Sequence, residues 1–139
     1  MTPSTHDLIR GIKEADDINS FFELHKNDFV TVLPHEYLNE LITIKNMTVS
    51  DVVKNSASGE YVYKIFKGER KASRDILISI ALGMELSLEE TQLLLRISKF
   101  ATLDPRDKRD GVIIYALIHS MTVFETDDLL DENNFTTLK

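Results

Sequence analysis

The chain has no cysteine and no tryptophan, and only three prolines and five glycines among its 139 residues. Without thiols there are no disulfides and no thiolate metal sites, so stability must come from a packed core, which suits a reducing compartment. No stretch approaches the ~18 consecutive apolar residues of a membrane span. The N-terminal MTPSTHDLIRGIKEADD is too acidic and too interrupted for a signal or transit peptide. A cytoplasmic protein that makes no use of a membrane is expected.

Chemistry-bearing motifs are also missing. There is no Gly-rich phosphate loop, no Gly-x-Ser-x-Gly and no kinase signature. The four histidines, His6, His25, His35 and His119, lack metal-ligand spacing and read as solvated or core residues. Asp104, Asp107 and Asp110 recur every third residue, but Arg106, Lys108 and Arg109 interleave with them, which describes a self-neutralising helix start. No enzyme, cofactor or metal is expected. Phe29-Val-Thr-Val-Leu33 is the one β-like run; with no partner run it reads as an extended connector.

What remains is a helical pattern. A length of 139 residues gives one core of useful size, and 42% hydrophobic with 28% charged residues is ordinary for a globular protein. Ser4-Thr-His-Asp7, Thr48-Val-Ser-Asp51, Ser87-Leu-Glu-Glu90 and Thr122-Val-Phe-Glu125 are four capping boxes, each followed by apolar residues at helical spacing. Asp16-Asp17 caps a further helix through Phe21 and Phe22, Pro34 opens one through Tyr37, Leu38 and Leu41, and Ser73 caps one whose Ile76, Leu77, Ile80 and Ala81 face inward before Gly83 stops it. Asp104-Pro105 is expected to start the helix that runs to about Ser120. The fold class is all-α, with no repeats or low-complexity tracts. Residues 1–34 read as an N-terminal helical arm, 35–99 as the central domain and 100–139 as a helical extension packed on the same core or at a dimer interface.

Net charge is −7, which argues against nucleic acid until its distribution is considered. Residues 1–44 sum to −5, 45–74 to +4 and 75–139 to −6. The one positive island coincides with MTVSDVVKNSASGEYVYKIFKGERKASR, Met47 to Arg74, which reads as two short helices, a turn at Ser56–Gly59 and a basic loop. Burying Val62, Ile65 and Phe66 turns Glu60, Lys64 and Lys67 outward, with Tyr61 and Tyr63 on the flanks. Gly68 sits where a left-handed helix cap belongs. A helix with a polar, cationic and aromatic face, followed by a cationic loop, has what a major-groove reader needs.

The run Tyr63 to Asp75, YKIFKGERKASRD, resembles the helix-end, Gly, basic-loop, Ser segment of XRE-type, lambda-repressor-like helix-turn-helix proteins, and Ile78 to Leu95, ISIALGMELSLEETQLLL, resembles the next two helices of that fold. Leu103-Asp-Pro-Arg-Asp-Lys-Arg-Asp110 is similar to a segment of a narrower bacterial group of such regulators. The turn is one residue shorter than the family's form, and Ala72 stands where the family usually has Pro. The resemblance implies a lambda-repressor-like bundle in which the second helix of the motif enters the major groove, hence sequence-specific binding of double-stranded DNA and transcriptional regulation, with repression the expected mode.

Ser58, Gly59, Glu60, Tyr61, Tyr63 and Lys64 are then the candidates for base contacts. Thr48, Lys67, Arg70, Lys71, Ser73 and Arg74 are the candidates for phosphate contacts. A symmetric homodimer through the C-terminal helices is expected, because Val112 to Ile118 is too apolar to be covered on one side only. The rival reading is a helical adaptor or antitoxin-like module that keeps the fold and binds a protein partner through its acidic N- or C-terminal helices.

Overall fold

In the computed structural model, residues 4–24 and 32–139 are described, and every regular element among them is a helix. In chain order these are α1 (Thr5–Glu14), α2 (Ile18–Leu24), α3 (Pro34–Ile44), α4 (Val49–Asn55), α5 (Tyr61–Phe66), α6 (Arg74–Gly83), α7 (Leu88–Ile97), α8 (Lys108–Ile118) and α9 (Val123–Glu132). The first three residues of the Phe29–Leu33 connector, together with Pro3 and His25, lie outside the described residues.

Helix starts follow local chemistry. All four capping boxes form: Ser4, Thr48, Ser87 and Thr122 each accept the N–H three residues on, and the carboxylate there accepts the N–H of the capping residue. Ser73 caps α6, and Pro34 occupies the first turn of α3, where an amide would have no intrahelical partner. The expected start at Asp104-Pro105 is corrected. Asp107 is the cap of α8, accepting the Asp110 N–H at 2.9 Å, while Pro105 lies in a preceding turn. The Asp110 carboxylate, itself held by Arg74, takes the Asp104 N–H at 3.0 Å and so fixes residues 104–106 as a turn ahead of the helix.

Helix ends show an order that the sequence alone did not suggest. Asn46, Glu85, Lys99, Ser120 and Asn134 adopt φ of 52–64° after α3, α6, α7, α8 and α9. The next residue in each case, Met47, Leu86, Phe100, Met121 or Phe135, donates its N–H to the carbonyl five positions back at 2.9–3.0 Å and is apolar, the Schellman arrangement. Three of these ends run straight into the next cap. Asn46–Val52, Glu85–Thr91 and Ser120–Thr126 are thus the same seven-residue corner, a short repeat in a chain without long ones. The seventh position is buried each time, and Thr91 and Thr126 satisfy their hydroxyls on the carbonyls of Ser87 and Thr122, at 2.9 and 2.7 Å.

The chain forms two compact units, Met1–Thr31 and Val32–Lys139. In the first, α1 buries none of its residues, leaving Ile9 and Ile12 about half exposed at 50% and 48%, whereas α2 buries Phe21. In the second, α6 is the axis of the core. Sequence periodicity gave it one inward face, yet every residue from Leu77 to Gly83 is buried. Leu38, Val52, Val62, Phe66, Leu94, Ile113 and Val123 belong to the same cluster, so residues 100–139 share the core of the helices before them.

Two polar devices tie that C-terminal stretch down. Gln92 pairs with Leu103 as a second backbone would, donating to its carbonyl at 2.9 Å and accepting its N–H at 2.7 Å. Adjacent Arg74 and Asp75 pair with adjacent Asp110 and Arg109: both Arg74 terminal nitrogens reach Asp110 at 3.1 and 3.0 Å, and both Arg109 terminal nitrogens reach Asp75 at 3.1 Å. Bidentate pairs of this kind fix orientation as well as distance.

Candidate functional site

The site is built on α4, the turn after it, α5 and the loop into α6. The turn rests on α6: the Ala57 N–H donates to the buried Ser79 hydroxyl at 3.0 Å, and a Cβ on Gly83 would lie 3.0 Å from the Asn55 carbonyl carbon and oxygen. Gly83 therefore serves close approach between helices; the left-handed position is taken by Glu85. Gly59 takes φ +59° in the turn, and Glu60 then leads into the helix.

α5 buries Val62, Ile65 and Phe66 and leaves Glu60, Tyr63, Lys64 and Lys67 exposed. Its end is fastened to α3. The Asn39 amide donates to the carbonyls of Phe66 at 2.8 Å and His35 at 2.7 Å, and the His35 ring lies 3.0 Å from where a Gly68 Cβ would stand. Gly68, at φ +77°, provides the left-handed cap, its N–H donating to Ile65 O at 3.0 Å. The basic loop folds back on the helix: the Glu69 N–H donates to Lys64 O at 2.9 Å, and the Tyr61 hydroxyl donates to Lys71 O at 2.9 Å.

Cations outnumber anions on this face, where Lys64, Lys67, Arg70 and Lys71 stand beside exposed Glu60 and Glu69. Among the described residues, Lys45, Arg74, Arg106 and Arg109 are held in ion pairs with Glu90, Asp110, Asp104 and Asp75. Lys64, Lys67, Arg70 and Lys71 are exposed and form none among the described residues; Arg70 hydrogen-bonds only the neighbouring Glu69 carbonyl. Elsewhere carboxylates are stabilised as anions. The N–H and hydroxyl of Thr48 hold Asp51 below the usual carboxylate range. Burial pushes Glu90 up, but the Ser87 N–H and the Lys45 ammonium together bring it below its ordinary value.

Of the twelve residues singled out in the sequence, Gly59, Glu60, Tyr63, Lys64, Lys67, Arg70 and Lys71 lie exposed along α5 and its flanks, with Ser58 half-buried in the turn. Thr48 and Ser73 each accept one N–H as caps through their oxygens, which leaves the hydroxyl proton to donate to a phosphate. Arg74 is engaged within the fold. Its guanidinium is shared between Asp110 and the carbonyls of Ala101 and Thr102, at 2.9–3.2 Å, which leaves it no free donor fork for a phosphate. Tyr61 is engaged too, its ring packed against the core and its hydroxyl on the loop. Asn39, Ser79 and His35 position the site and escaped sequence reasoning, since their partners lie 22 to 33 residues away and no local pattern marks them.

A second surface feature lies on α8 and α9, where Lys108, Gly111, Val112, Tyr115, Leu129, Asn133 and Phe135 line a shallow groove. Among the described residues no helix is long and apolar enough to cross a membrane, and no three His, Cys, Asp or Glu side chains are grouped to hold a metal ion. No protein-family profile, curated protein or solved structure matches the chain.

Proposed function

We propose that this chain binds double-stranded DNA sequence-specifically and acts in the cytoplasm as a transcriptional regulator, of repressor type. The observation that carries the proposal is the group of four exposed cations, Lys64, Lys67, Arg70 and Lys71, that form no ion pair among the described residues on a short helix and its loop, in a chain of net charge −7. On this reading α3 to α7 make up an XRE-type, lambda-repressor-like bundle with α5 as the major-groove helix. Ser58, Gly59, Glu60, Tyr63 and Lys64 face the bases; Lys67, Arg70 and Lys71, with the hydroxyls of Thr48 and Ser73, hold phosphates. Acidic surfaces elsewhere orient the encounter by repelling the backbone. Pairing of two copies through α8, where Tyr115 and Ile118 are 52% and 62% exposed, would set two such helices ~34 Å apart on a pseudo-palindrome.

The α8–α9 groove favours a second reading, a helical adaptor or antitoxin-like module that holds a protein partner there or on its acidic helices and leaves DNA alone. Affinity capture on sheared genomic DNA with the purified chain separates the two. Recovery of discrete fragments supports the regulator, whereas one co-purifying protein and no enriched fragment selects the adaptor.

A further inference from the structure

Tyr61 and Tyr63 both sit on α5, two residues apart, yet the structure uses them differently. Tyr63 is exposed, and no hydrogen bond is formed by its hydroxyl among the described residues. The Tyr61 ring packs at the edge of the core while its hydroxyl reaches across ten residues to the Lys71 carbonyl at 2.9 Å. That bond closes a ring comprising the whole of α5 and most of the loop after it. The loop is already held at one end by the Glu69 N–H on Lys64 O, and at the other by Ser73 as the cap of α6 and Arg74 on Asp110. Between those ends stand Arg70 and Lys71, both exposed and neither ion-paired among the described residues. With two cations and one carboxylate and no ion pair among the described residues, this loop depends on its hydrogen bonds for a fixed shape. Of the contacts described, the Tyr61 hydroxyl is the one that a side chain of α5 makes with it.

We infer that Tyr61 is a positioning residue for the candidate DNA interface: it clamps the basic loop to the start of α5 so that the loop cations and the helix face meet one duplex in a fixed relation. The inference rests on the DNA-binding reading above. Its chemistry is preorganisation: a loop fixed before binding has less freedom to lose on binding, and the gain falls on phosphate contacts, which do not distinguish sequences. The phenol suits the task because its ring is anchored by burial while its one donor projects to a backbone carbonyl, which side-chain changes at Lys71 leave untouched.

Tyr61→Phe keeps the ring and removes the donor. Amide hydrogen exchange of Glu69 and Arg70, whose N–H groups both donate to Lys64 O, measured without DNA, should speed up about 2- to 10-fold, as expected for loss of one hydrogen bond. The exchange of α6 and α7 should stay as in the unsubstituted protein. Affinity for a random-sequence 30-base-pair duplex, and for a fragment recovered by genomic capture, should fall by the same factor, also about 2- to 10-fold, leaving the ratio between them unchanged. Unchanged exchange in the loop would show that no clamp exists. Faster exchange with unaltered affinity for both duplexes would show a clamp with no role in binding. An affinity loss confined to the captured fragment would return Tyr61 to the base-contacting set and overturn the positioning role. Should the unsubstituted protein bind neither duplex, the DNA-binding reading itself fails, and the exchange data alone then decide whether the clamp exists.

Discussion

Lys64, Arg70 and Lys71 are all exposed cations, but their placement on helix or loop gives them separable tasks. If the DNA-binding proposal holds, Arg70→Ala and Lys71→Ala should weaken binding to every duplex alike and lower the salt slope by about one each, as loss of a phosphate contact would. Lys64→Ala should instead relax the choice among sequences. Titrations on captured and random duplexes at several salt concentrations read both effects. Two glycines on the same segment divide similarly. Gly59→Ala meets only the strain of a positive φ, there being nothing within 4 Å of the new Cβ, and should cost about 1 kcal/mol. Gly68→Ala meets the same strain and the His35 ring at 3.0 Å, and should cost clearly more in urea unfolding. The sense in which α5 is turned was legible, since Val62, Ile65 and Phe66 follow the helical period without competition. The engagement of Arg74 was not: seven residues of its neighbourhood suggest a basic loop, and its carboxylate partner lies 36 positions on.

Helix boundaries were readable wherever a single candidate cap precedes the apolar run, as at Ser4, Thr48, Ser87 and Thr122. They were not readable at α8, where Asp104 and Asp107 are equally good caps by sequence and the choice is settled by Asp110, buried against Arg74. The capping carboxylates also set the response to acid. Asp51 and Glu125 are lowered chiefly by the N–H groups of Thr48 and Thr122, and Glu90 is lowered despite the opposing push of burial. A depressed folded-state value adds stability above the ordinary carboxyl values, 3.8 for Asp and 4.5 for Glu, and that stability is lost as pH falls through the lower folded values. Unfolding free energy should therefore be level near neutrality and decline below about pH 4.5. The decline should be shallower in Asp51→Asn and Glu125→Gln, as followed by urea titrations at stepped pH.

Across the whole of Val32–Lys139, the Arg74/Asp75 and Asp110/Arg109 exchange joins the start of α6 to the start of α8, and through Arg109 to the Thr136 carbonyl. Asp110 is 7% exposed and accepts the Asp104 N–H as well as both Arg74 terminal nitrogens, so Asp110→Ala leaves several donors short of a partner and should cost about 3 kcal/mol. Asp75, whose side chain is 37% exposed, should cost nearer 1 kcal/mol when removed. Urea midpoints at a constant slope would read the difference. All-helical architecture could be read from caps and spacing, but the burial of α6 on every side could not, because a helix sealed all round has no polar face to announce its orientation. The left-handed helix ends have a practical corollary for anyone wishing to toughen this protein. At Glu85, Lys99 and Ser120 a side chain occupies a conformation that glycine adopts freely. Replacing each with glycine relieves about 1–2 kcal/mol of steric cost against about 0.5–1 kcal/mol of added chain entropy. None of the three lies on the candidate interface, so thermal tolerance could be raised by about 2–4 °C per site with DNA affinity left alone.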